Sequence, residues 1–382
     1  MRTRGKIVAP ALVAAALSGA VWLVSAVAGG TNPIERLGDA DPAVREGAIE
    51  SLAAKGPSIV VMLQTELVRA KSPLVQAGLA EALRRVGMSD SHVGALKDDL
   101  HADSAATRRV VVGLVAATKP ALLADDLRAI AADAGELPDV RAAAARGLGR
   151  VGATEAARLA ALASDRDAPV SVRAAAVRAL ASTGDDGLAV VEAAAKGRDV
   201  VQRDAAFSAL ADKDVAATAT LLSLLADDAA TTRAAAASAM ALRGETSDLA
   251  VAALKTALAD PSAPVRAAAL AALVGSTKAH QATSEVVGLL SDTVPTLQAQ
   301  GAHTLGHVIK DTSRATLQAL VALLPSPDFP VRYEAALALA EAGDGSGWPA
   351  MLADSLSTDA VIAKKAGDAL ATIRTKTKAG GK

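Results

Sequence analysis

The chain has no cysteine and almost no aromatic residues: two Trp, two Phe and one Tyr in 382 positions. Without cysteine there is no disulfide, no thiolate nucleophile, no iron–sulfur cluster and no lipid attached through sulfur. Scarce aromatics argue against a deep cofactor pocket, because such pockets usually have aromatic walls. An excess of one charge is also missing. Lys and Arg number 40 against 41 Asp and Glu, a net charge of −1, so the total does not favour nucleic acid. No run shows the alternating Val/Ile/Thr pattern of strands. Hydrophobic residues nevertheless make up 51% of the chain, mostly Ala, Leu and Val. That mixture suits thin helices packed closely through small side chains.

What the chain does have is a phrase that recurs eleven times. Clear copies run Val44-Arg45, Ala48, Leu52, Gly56 and Val331-Arg332, Ala335, Leu339, Gly343. Aligned on the arginine, the copies centre on Arg45, Gln76, Arg108, Arg141, Arg173, Arg203, Arg233, Arg266, Gln298, Arg332 and Ala363, with 30 to 34 residues between neighbours. So steady a period means stacked structural units rather than one globular core. Apolar residues at −1, +3 and +7 from the arginine form one stripe of a 3.6-residue helix. Large residues at +7, such as Leu52, Leu180 and Leu370, follow small ones at +3, such as Ala48, Ala144 and Ala366, and this lets helices approach closely. Six copies carry Gly at +11 (Gly56, Gly87, Gly152, Gly184, Gly244 and Gly343), where a left-handed residue ends a helix.

A second helical stretch precedes each phrase, for example Leu221-Leu222 with Leu224-Leu225. Turn residues such as Asp260-Pro261-Ser262-Ala263-Pro264 separate the two. Proline there sits near a helix start, where its missing N–H costs little. The expected fold is all-α, an α-solenoid of about eleven stacked helix pairs after an N-terminal hydrophobic helix. Residues 31–375 form the array and 376–382 a disordered basic tail.

The leader, residues 1–30, reads as a signal peptide or a membrane anchor. Arg2, Arg4 and Lys6 precede an uncharged run from Ile7 to Ala28, 22 residues that would span ~30 Å as a helix. Ala26-Val27-Ala28 also fits a small-residue cleavage site. A basic start keeps the N-terminus inside, so the array is expected in the periplasm or cell envelope.

With Asp six residues before the arginine, the phrase reads Asp-x-x-x-x-Val-Arg-x-x-Ala-x-x-x-Leu. That aspartate is present as Asp39, Asp167, Asp227, Asp260 and Asp292. The pattern resembles the HEAT repeat, in the short bacterial form also found in phycobilisome-lyase-like proteins, over roughly residues 33–375. The resemblance implies an α-solenoid with the arginine-bearing helices on its concave side. It also implies a ladder of Asp–Arg hydrogen bonds between adjacent repeats, from which the units at Gln76, Gln298 and Ala363 depart. Eleven pairs at 8–10 Å spacing would give an arc on the order of 100 Å.

Catalytic constellations are hard to find. Gly147-Leu-Gly149-Arg-Val-Gly152 matches G-x-G-x-x-G, but a dinucleotide site needs a strand before it, and here the glycines fall at the end of a repeat helix. His303 and His307 have the i, i+4 spacing of a zinc pair, yet no HExxH glutamate or cysteine completes the set, and they read as structural histidines. Some HEAT-repeat proteins are iron-dependent hydroxylases built on His-Glu pairs. None of the five histidines here precedes Glu, so that activity is not implied. No metal, cofactor, catalytic residue or small-molecule substrate is expected.

The columns that vary between copies carry more information. Arg109, Arg146 and Arg178 fall at exposed positions of units three to five, as a solvated face or as contacts to a partner. Unit ten supplies Phe329, Tyr333 and Leu337, which either pack within the repeat or anchor a partner peptide. The sequence therefore points to a non-enzymatic, extracytoplasmic scaffold that binds a protein partner along the array. An accessory subunit or chaperone of an enzyme is the alternative, and a nucleic-acid binder is less favoured.

Overall fold

A computed structural model describes residues 32–245 and 247–380. The hydrophobic leader, residues 1–30, lies outside them. Among the described residues the regular structure is entirely helical, and no helix is long and apolar enough to cross a membrane. The chain divides into two compact units, Met1–Val191 and Glu192–Lys382. The first holds the phrases centred on Arg45 to Arg173, the second those centred on Arg203 to Ala363.

The fourth repeat shows how the first unit is built. Its leading helix, Ala124–Ala132, buries Leu127 and Ile130. At the turn that follows, the Asp133 carboxylate accepts the Gly135 N–H at 2.9 Å. Pro138 then opens the phrase helix, Pro138–Val151, with its φ already set for helix. Val140, Ala144 and Leu148, at −1, +3 and +7, are buried, and the helix packs on its own leading helix and on the phrase helices of the third and fifth repeats. Gly152 at φ 113° closes the helix.

The second unit repeats the pattern. In the seventh repeat Thr218–Leu225 leads, and the phrase helix Ala230–Arg243 buries Ala236 and Met240. Gly244 takes φ 62° and lets Glu245 N–H reach back to the Met240 carbonyl at 3.1 Å, which satisfies a carbonyl left orphaned by the helix end. The six glycines at +11 are the six with positive φ among the described residues. The +7 column is buried from Leu52 through Leu339. Leu370, in the last repeat, is only partly buried.

Three features differ from the sequence expectation. The leading stretch of the third repeat is broken into Asp90–Gly94 and a 3₁₀ turn, Asp98–His101. The ninth phrase helix, Pro295–His303, passes into a π-helical turn, Thr304–Ile309, that ends at Lys310 with φ 57°. The final helix runs Ala360–Gly380, through residues 376–380 of the expected disordered tail. Lys376 is held there by Glu341 of the preceding repeat at 2.7 Å.

The arginine of the phrase has two roles. One guanidinium nitrogen donates to carbonyls five and six residues back, as Arg266 does to Asp260 and Pro261 at 2.8 and 3.1 Å. This satisfies backbone oxygens in the turn that water would otherwise have to serve. The other edge forks onto a carboxylate one repeat downstream: Arg233 onto Asp260 and Arg266 onto Asp292. Where glutamine replaces arginine, only the first role survives. Gln298 donates to the Asp292 carbonyl at 2.6 Å and Gln76 to the Ala70 carbonyl at 2.9 Å.

Candidate partner-binding face

In the first unit two of the phrase helices carry arginine at their +5 position. Arg146 and Arg178 are both exposed, on the adjacent helices Pro138–Val151 and Val170–Leu180. Close helix packing brings them together. A Cβ on Gly149 would lie 2.6 Å from the Ala179 carbonyl oxygen, and one on Gly147 would lie 2.9 Å from the Ala116 side chain. Only glycine fits there, because any side chain would collide with backbone.

The result is a cluster of like charge. Surrounding protein lowers the pKa of Arg146, and Arg178 and Arg150 lower it further, against a smaller pull from Asp139. Arg150 also donates to the Ala116 carbonyl at 3.3 Å. Arg146 and Arg178 have no acidic partner within ion-pair reach among the described residues. Arg109 differs from both, because its Nε is engaged by Asp139 of the next repeat. The sequence grouping of three exposed arginines thus resolves into one paired residue and two unpaired ones.

Phe329, Tyr333 and Leu337 lie in the second unit. The two rings tilt against each other at 5.5 Å, and the Arg332 guanidinium sits 5.9 Å from the Phe329 ring centre. All three side chains are half-buried against a core of Ala336, Ala340, Met351, Ala366, Ala369 and Ile373. Burial raises the pKa of the Tyr333 hydroxyl, with Glu334 and Asp368 adding to the effect. A large part of this cluster is therefore engaged in packing the tenth repeat on the eleventh.

Gly147 and Gly149 lie within a helix, packed on its neighbours, and Gly152 ends that helix. These are the contacts of a stacking motif, without the strand that a dinucleotide site requires.

Matching the chain to known families gives the same architecture. Residues 251–340 match a family model described as HEAT repeats. That stretch consists of HEAT repeats. The Arg–Asp fork that the resemblance implied is made at Arg266–Asp292 inside the matched span, and at Arg233–Asp260 and Arg332–Asp354 across its two edges.

Among solved structures, this chain is similar to Kap121p bound to Nup53p, with a TM-score of 0.52 and 15% identity over 97% of this chain and 45% of that one. It is also similar to the karyopherin Kap121p bound to the extreme C-terminus of the protein phosphatase Cdc14p, at TM-score 0.50 and 14% identity over the same shares. At these identities the likeness concerns the fold alone. This chain spans less than half the length of those karyopherins. No curated protein matches it.

Two sets of residues escaped the sequence reading. The forks of Arg108 and Arg332 end on Glu136 and Asp354, which lie five and nine residues before the next arginine position rather than six. A search that allowed any acid in the turn would have found them. Glu334 is the second case. It lies 2.9 Å from His303 Nδ1, although 31 residues separate them in the chain. One repeat of offset makes them neighbours, so comparing exposed columns of adjacent copies would have exposed the pair.

Proposed function

We propose that this HEAT array is a non-enzymatic scaffold that binds a protein partner along its phrase-helix face, outside the cytoplasm. The supporting observation is the pair Arg146 and Arg178, exposed and without acidic partners on adjacent repeats. Holding like charges together opposes folding, and two unneutralised guanidiniums in register are suited to carboxylates of an acidic segment. The Kap121p complexes contain bound proteins on a similar fold, which is consistent with this use of the architecture. The extracytoplasmic setting rests on residues 7–28, with the basic residues Arg2, Arg4 and Lys6 before them.

Capture from an envelope extract by the full chain and by an Arg146→Glu/Arg178→Glu variant tests the binding face. The wild-type chain should retain a partner that the variant loses. Equal recovery by both removes the arginine pair from the reading. A reporter fused to the C-terminus should be active only outside the cytoplasm, and activity inside would refute the assigned setting.

A further inference from the structure

We propose that His303, His307 and Glu334 form a binding site for a divalent transition-metal ion of the zinc class, linking the ninth and tenth repeats. One donor atom from each of the three lies within 4.8 Å of the other two. The two imidazoles sit 4.7 Å apart, centre to centre, on one face of the ninth phrase helix. Glu334 reaches them from the tenth phrase helix, Phe329–Glu341. The 2.9 Å between His303 Nδ1 and Glu334 Oε2 is close to the separation of two donors on one tetrahedral ion, about 3.4 Å for bonds of ~2.1 Å. Small side-chain rotations would bring in the third donor.

Donor chemistry selects the class of ion. Two imidazoles and one carboxylate suit zinc, cobalt, nickel, copper or iron, whereas calcium and magnesium require oxygen donors. Three protein ligands leave a fourth position open. Here His303 and Glu334 also line a hollow of about 410 Å³, whose other walls include Leu270, Val274 and Thr304. A recess with largely apolar walls, able to admit water or a small ligand, thus adjoins two of the three donors.

Backbone features independent of the donor chemistry support the site. The helix leaves α geometry at Thr304–Ile309, and single π-helical turns occur frequently at functional sites. Within that turn Gly306 lies so close to the next repeat that a Cβ would sit 2.5 Å from Ala338. Ala338 is one turn beyond Glu334, so this close approach sets the distance across which the donors meet. A nearby carboxylate is less suited: Glu341 is 3.9 Å from His307 Nδ1 but is held by Lys376 at 2.7 Å.

Calorimetric titration of the full chain with Zn(II) tests the site, with Co(II) as a spectroscopic probe of its ligands. The expected result is saturable binding of one ion with a Kd on the order of micromolar, and Co(II) d–d bands typical of nitrogen and oxygen ligation. His303→Ala, His307→Ala and Glu334→Gln should each weaken binding by about tenfold or more. Glu341→Gln and His280→Ala should leave it within about twofold. The metal-free melting temperature of each variant shows whether it is folded, and Glu334→Gln keeps the shape of the side chain. Absence of saturable binding by the folded wild-type chain overturns the proposal. So does equal affinity in the three ligand variants, or a comparable loss in the two controls.

Discussion

Arg233 donates to both carboxylate oxygens of Asp260, one repeat downstream, at 2.7 and 2.9 Å. Asp260 is itself the first residue of the turn that Arg266 clamps, through its backbone carbonyl at 2.8 Å. One aspartate thus receives the arginine of the repeat before it through its side chain and that of its own repeat through its backbone. Each side chain of the Arg233–Asp260 pair is less than a fifth exposed, so the fork is better shielded than a surface ion pair. Replacing Asp260 with Ala should cost about 1.5–3 kcal/mol, the range for hydrogen bonds to charged groups, and urea unfolding measures it. A cost no greater than that of an exposed aspartate such as Asp185 would show that the fork is decorative.

Arginine-paired acids set the behaviour in acid. The Arg84 guanidinium, outweighing burial, lowers the Glu81 carboxyl from 4.5 to about 2. Arg233 likewise lowers Asp260. A carboxyl depressed in the folded state contributes stability above its unfolded pKa and loses it as pH falls through the folded value. Thermal midpoints should therefore hold down to about pH 4.5 and fall between there and pH 2. Glu81→Gln should lower the neutral-pH midpoint and flatten that fall. A wild-type midpoint independent of pH across this window would contradict the assignment.

Burial within the +7 column should govern the cost of a core truncation. Leu180 is fully buried, and Leu180→Ala should cost about 2–5 kcal/mol by denaturant unfolding. Leu370 is only partly buried, so Leu370→Ala should cost less. Equal shifts would mean that burial does not set the cost in this column.

Two glycine substitutions should have opposite signs. Gly149→Ala drives a Cβ against the Ala179 backbone and should destabilise by about 1–3 kcal/mol, separating Arg146 from Arg178 as the helices part. Gly113, inside the helix Ala105–Thr118, has open space around a Cβ, and Gly113→Ala should stabilise by about 0.5–1 kcal/mol. Calorimetric melting of both variants checks the pair.

Arg146 offers a test of function apart from stability. It has no acidic partner to lose and sits beside Arg178 and Arg150, so Arg146→Ala should leave stability within about 0.5 kcal/mol of wild type, or slightly above it at low salt. A large destabilisation would assign the side chain to the fold instead of to a partner.

The all-helical class, the register of the repeats, the buried +7 column and the six helix-ending glycines were legible in the sequence, because each follows from local periodicity and backbone conformation. The arginine–aspartate fork was legible at Asp260 and Asp292, which keep the six-residue spacing, but Asp227 keeps it too and lies beside Lys196 at 3.9 Å instead. The fork was hidden at Glu136 and Asp354, because a turn can offer a carboxylate from more than one position. Tertiary structure alone decided that Arg109 is paired while Arg146 and Arg178 are not, and that His303 and His307 meet Glu334. These outcomes depend on how closely neighbouring helices approach, at Gly149 and at Gly306. A sequence determines its own turns and stripes, but an encounter across some thirty residues depends on the distance at which two packed helices come to rest.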